Sequence, residues 1–160
     1  MVYKFSIVMI LALISACSSS IDSVSNYNEK LFAYEEKLNE CNKLEGDVIK
    51  GVRLTEVSDK TIRVALSYFY IKNSLDCTSK ESEDLASSVA SLINDQSVAE
   101  YIKINARDLQ GTISFQAKQL IEPEKHFNSL SDSDKKLLNS MGVSNRPFSP
   151  SAALEYYIDK

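Results

Sequence analysis

Residues 61–75, TIRVALSYFYIKNSL, decide the fold class. Two backbone conformations suit them. At helical spacing, Ile62, Ala65, Leu66 and Phe69 make one apolar stripe, while Val64, Tyr68, Ile71 and Leu75 make a second. A helix apolar on most of its circumference belongs at the centre of a core. The valine, isoleucines and aromatics of 62–71 also suit a strand, because such side chains pack well on a pleated surface. Ser58-Asp59, just upstream, supplies capping side chains, so the spacing predicts a helix over 59–75 with the strand as its rival.

The same periodicity extends in both directions. Upstream, Val24, Tyr27, Leu31, Tyr34, Leu38 and Cys41 alternate three and four apart, which places them on one seam. Glu29, Lys30, Glu35, Glu36, Lys37 and Glu40 fall elsewhere on the circumference. A helix over 25–44 follows, ended by Gly46, whose seam lies on the chain's own core or forms a coiled-coil contact. Residues 46–57 read as a loop with a short strand at most. Downstream, Thr78 and Glu81 have the spacing of a capping box for a helix over 80–94, and Ser97 with Glu100 opens another, reaching 121. Gly111 marks a kink or close packing in that helix, and Pro123 closes it. Ser131 and Asp134 start a short helix over 132–141, and Ser149-Pro150 reads as cap and first position of a last one over 151–158. The expected architecture is all-α, a compact bundle of five to six helices with one disulfide, forming a single helical domain over 25–160.

Composition narrows the function. The chain has 160 residues, 44% hydrophobic and 25% charged, as befits one globular domain. A formal charge of −4 leaves no basic surplus for nucleic acid, which is excluded as an expected partner. One histidine and three cysteines cannot assemble most zinc, haem or iron–sulfur sites. Neither a Gly-x-Ser-x-Gly elbow nor a glycine-rich phosphate cradle is present. His126, in Glu122-Pro123-Glu124-Lys125-His126, reads as a solvated residue in a polar linker, with general base or metal ligand as its other roles. The acidic groups at Glu81, Glu83, Asp84, Asp132 and Asp134 suit first turns of helices better than a metal site. No catalytic residue, metal or cofactor is expected, and the chain is not read as an enzyme.

The amino terminus carries the most specific signal. A short start with Lys4 leads into the apolar run FSIVMILAL, residues 5–13, and then Ile14-Ser15-Ala16-Cys17. This is the layout of a secretory signal, with a signal-anchor or buried helix as the alternative. The apolar run is far shorter than the roughly 20 residues that cross a bilayer. Ile14-Ser15-Ala16-Cys17 resembles the lipobox of bacterial lipoproteins. The resemblance implies cleavage after residue 16, a diacylglycerol on the Cys17 sulfur and an acyl chain on the new amino terminus. It implies a cell-envelope protein held by lipid, with residues 17–24 as a lipidated, serine-rich linker. Ser18 looks like the outer-membrane version of the motif, on the periplasmic face, whereas aspartate there favours the inner membrane. Two or more acyl chains hold a protein almost permanently.

In such an oxidising compartment Cys41 and Cys77 are expected to pair, free buried thiols being the alternative. A bridge closing about 36 residues stabilises by roughly 3 to 4 kcal/mol in the loop-entropy picture. Tyrosine suits half-buried sites with a wet hydroxyl. Most of the tyrosines are therefore expected at the core rim, and Tyr27, Tyr34, Tyr156 and Tyr157 are candidates for a partner surface. The resulting expectation is a non-catalytic binding or assembly module with a protein partner in the envelope. Pilotin-type lipoproteins, which escort secretin subunits to the outer membrane, are similar in anchor, size, helix content and helix-linking disulfide. An envelope defence lipoprotein displayed at the surface, for entry exclusion or hydrolase inhibition, is the alternative.

Overall fold

The computed structural model describes residues 2–45 and 54–158, with side chains from residue 21 onward. Its helices are α1 (Val2–Glu45), α2 (Asp59–Asn94), α3 (Glu100–Gln119), α4 (Ile121–Asn128), α5 (Asp132–Asn139) and α6 (Pro150–Tyr157). No strand occurs among the described residues, so the chain is all-α. The strand alternative over 62–71 fails. Ile62, Ala65, Leu66 and Phe69 are at most 4% exposed, which is the stripe of a helix, whereas a strand would bury alternate residues.

Within the stretch read as one domain, contacts gather into two compact units, Met1–Glu35 with Lys80–Thr112 and Glu36–Ser79 with Ile113–Lys160. In the first, Tyr27 and Tyr34 of α1, Leu85, Val89 and Leu92 of α2, and Ala106 of α3 are buried. In the second, the α2 stripe meets Phe127 of α4, Leu138 of α5, Ala153 and Tyr157 of α6, and Met141, Val143 and Phe148 of the connecting turn. Phe127 stacks on Tyr68 at 4.4 Å and meets Phe69 edge-on at 5.2 Å. Burying one such large side chain contributes about 1.5 to 3 kcal/mol.

Several boundaries differ from those expected. The separate helices over 59–75 and 80–94 are one, α2, because neither glycine nor proline interrupts the stretch. Thr78 does not cap a new helix. It is helical instead of extended as a cap requires, and its hydroxyl donates one turn back to the Ser74 carbonyl at 3.4 Å. Nor does the Ser97–Glu100 box form. Asp95 accepts the Ser97 N–H at 2.9 Å and its hydroxyl, while Glu100 pairs with Arg107 at 2.8 Å.

The helix opened at Glu100 ends at Gln119, two residues short of the expected 121, at the carbonyl that the Pro123 ring denies a partner. Pro123 itself lies in the first turn of α4, where an N–H would lack an acceptor within the helix, so the stretch taken for a polar linker is helical. Gly111 is exposed within α3, and a Cβ there would meet nothing within 4 Å, which removes close packing as its role. The first helix starts upstream of 25. With no glycine or proline between Val2 and Glu45, α1 runs through 17–24, the expected linker. Gly46 and most of the 46–57 loop lie outside the described residues. Two expectations hold closely: Ser131 accepts the Asp134 N–H at 3.1 Å, and Ser149 accepts that of Ala152 at 3.5 Å with Pro150 following.

Candidate functional site

Cys41 and Cys77 are joined by a disulfide, with Cα atoms 6.2 Å apart. The bridge fastens the last turns of α1 to the middle of α2, not to a point past a helix end. Cys41 is buried.

The tyrosines named as a partner surface lie largely inside. Tyr27, Tyr34 and Tyr157 are each about 7% exposed or less, and burial pushes their phenol pKa values up. Tyr156 is half-buried and meets the Tyr157 ring edge-on at 4.8 Å. These rings are core and core rim, as the amphipathic character of tyrosine favours. The exposed large apolar residues of the first unit are instead Ile21, Phe32, Tyr101 and Ile104.

His126 is exposed on α4, one turn after Glu122. Both line an open cleft of about 360 Å³ with Lys60, Arg63 and Ser67 of α2. Every one of these five side chains faces solvent. Catalytic groups are usually desolvated and mutually oriented, whereas here Lys60, Arg63 and Glu122 share an open, solvent-facing surface with His126. Among the described residues, no three histidine, cysteine, aspartate or glutamate side chains gather as a metal site would require.

The chain matches no family model, no curated protein and no solved structure. Its candidate site is therefore read from its own geometry.

A second cleft lies in the first unit. Ile21, Val24, Ser25 and Asn28 of α1 face Ser97, Val98, Ala99 and Ile102 around a volume of about 440 Å³. The walls are mainly aliphatic. Ser23 fastens them together, its hydroxyl donating to the Asp95 carboxylate at 2.7 Å across the gap between α1 and the α2–α3 turn. Hydrogen bonds from Ser97 and Ser23 hold the Asp95 carboxyl below the usual range. Lys103, on the first turn of α3, is only 7% exposed and adds a favourable positive charge near that carboxylate. Cys17 lies upstream on α1, and its side chain falls outside those described.

Neither this cleft nor the role of Asn73 was anticipated. Asn73 is 4% exposed and donates to the carbonyls of Val143 and Arg146. One signal was available for each: Asn73 continues the stripe of Leu66 and Phe69, so a polar side chain there needs a buried partner. Ile21 and Val24 are apolar residues in a stretch otherwise read as linker.

Proposed function

We propose that this chain is a lipid-anchored protein of the bacterial cell envelope, held at the periplasmic face of the outer membrane by acyl chains on Cys17. Its helical part acts as a non-catalytic binding or assembly module, adaptor-like in the manner of a pilotin, that keeps a protein partner near the membrane. The observation that carries this reading is Ile14-Ser15-Ala16-Cys17 placed directly behind a cationic start and an apolar run. The Cys41–Cys77 bridge supports it, because such bridges persist in oxidising compartments. The exposure of His126 favours a solvated residue over a general base. No helix of the described residues is long and apolar enough to cross a membrane, which is compatible with attachment by lipid.

Labelling with radioactive or alkyne-bearing palmitate tests the anchor. The wild-type chain takes the label and sediments with membranes; Cys17→Ser loses the label and enters the soluble fraction. An unlabelled wild-type chain in the soluble fraction overturns the proposal. Crosslinking followed by pull-down from solubilised membranes tests the partner, and recovery of the lipoprotein alone counts against the adaptor role.

A further inference from the structure

We infer that the end of the first unit that carries Ile21, Val24, Tyr101 and Ile102 rests against the bilayer itself, so that the unit is seated on the membrane and not suspended above it. This inference rests on the lipid anchor at Cys17. The structure adds the spacing. Because α1 is continuous through 17–24, no flexible spacer separates the anchor from the folded unit. Four residues of helix carry the chain only about 6 Å from Cys17 to Ile21.

Positions 21, 24 and 28 are spaced three and four apart, so they share one face of α1, and all three line the aliphatic cleft. On the opposite wall, Val98, Ala99 and Ile102 come from the α2–α3 turn and the start of α3. The Ser23–Asp95 hydrogen bond fixes that turn to the anchor-proximal part of α1, so both walls approach the lipid together.

Exposure points the same way. Ile21 and Tyr101, each 68% exposed, both lie at the anchor-proximal end of the unit, whereas Phe32, 61% exposed, lies farther along α1. At a bilayer surface a tyrosine places its ring among headgroups with the hydroxyl in water. Asp22, Asp95 and Glu100 lie in the same segments, which favours zwitterionic over anionic lipid.

The chain contains no tryptophan, so a single introduced indole reports depth without background. Full-length lipidated Tyr101→Trp and Phe32→Trp are reconstituted into vesicles of phosphatidylethanolamine and phosphatidylcholine, with and without bromine on the acyl chains. Phe32 is 61% exposed on the same unit but lies about 16 Å further along α1 than Ile21. Tyr101→Trp is expected to lose about half its emission to brominated lipid and to shift to the blue, whereas Phe32→Trp is expected to change little. Equal and weak quenching of both, in protein that still floats with the vesicles, overturns the seating while leaving the anchor intact. Protein that does not float overturns the anchor instead. Ile21→Trp, tested alongside, keeps the outcome decisive if Tyr101→Trp fails to fold.

Discussion

The side-chain amide of Asn73 donates to the backbone carbonyl of Val143 at 2.8 Å, and its second N–H reaches the Arg146 carbonyl at 2.9 Å. One buried amide on α2 thereby satisfies two carbonyls of the turn between α5 and α6. Asn73→Ala leaves both unpaired and is expected to cost about 2 kcal/mol in urea unfolding followed by circular dichroism. Asn73→Asp costs more and adds a pH dependence. Only the protonated acid can donate to a carbonyl, so its folded pKa rises above the unfolded value. The variant is then most stable below about pH 3.9 and loses stability as pH climbs through the folded pKa. An Asn73→Asp chain as stable as wild type at neutral pH contradicts this clamp.

Tyr157 also holds this turn. The Gly142 N–H donates to its phenol oxygen at 3.0 Å, while the ring is buried in the core of the second unit. Tyr157→Phe should lower stability by about 1 kcal/mol, the net value of one hydrogen bond. Tyr157→Ala should lower it by about 3 to 5 kcal/mol, through loss of burial and the cavity left behind. Equal costs for the two would mean that the hydroxyl, not the ring, is what matters.

Removing the disulfide by the double change Cys41→Ala and Cys77→Ala is expected to destabilise by about 3 to 4 kcal/mol, mostly by freeing the unfolded chain. The same loss should appear on adding reductant to the wild type and should be absent when reductant is added to the double variant.

Gly111 offers a stabilising change. It is exposed in the middle of α3 with space around it, so Gly111→Ala should add about 1 kcal/mol and raise the melting temperature. A lower melting temperature would show that α3 needs the freedom of glycine there.

Two pH limits follow from the titrating groups. Asp95 is held below the usual carboxyl range by Ser97 and Ser23, so it stabilises the fold above its unfolded pKa of about 3.9, and that help fades as acid carries the pH through the lower folded value. Ser23→Ala should move the Asp95 carboxyl titration upward, measured by carbon NMR. At the other limit, burial raises the phenol pKa values of Tyr27, Tyr34 and Tyr157. Stability is then intact below the ordinary tyrosine value, about 10, and falls as pH passes the folded values. Absorbance at the phenolate band should show these three ionising late, together with unfolding.

Local chemistry was legible in the sequence where its partners are neighbours. Ser131 with Asp134, and Ser149 with Pro150, form caps whose donors and acceptors sit within one turn, so spacing alone identifies them. Thr78 with Glu81 has the same spacing, yet its hydroxyl also reaches a carbonyl one turn back, and a continuous α2 favours that choice. Pro123 is equally two-sided, since it fits both just past a helix and in a first turn. What the pattern could not carry is long-range. Ser23 and Asp95 are 72 positions apart and Asn73 and Val143 are 70, and nothing in the local sequence reveals either partnership. The tyrosines of α1 lay on the apolar seam from the outset, but only the packed neighbours determine whether such rings end inside or at the rim.

The sulfur bridge also governs how the chain bears tension. A covalent path from the amino-terminal end of α1 to any point beyond Cys77 passes from one helix to the other through two sulfur atoms, bypassing the backbone between the two cysteines. Ile62, Ala65, Leu66 and Phe69 all lie between the two cysteines, so tension along the chain is not carried by the backbone that holds them.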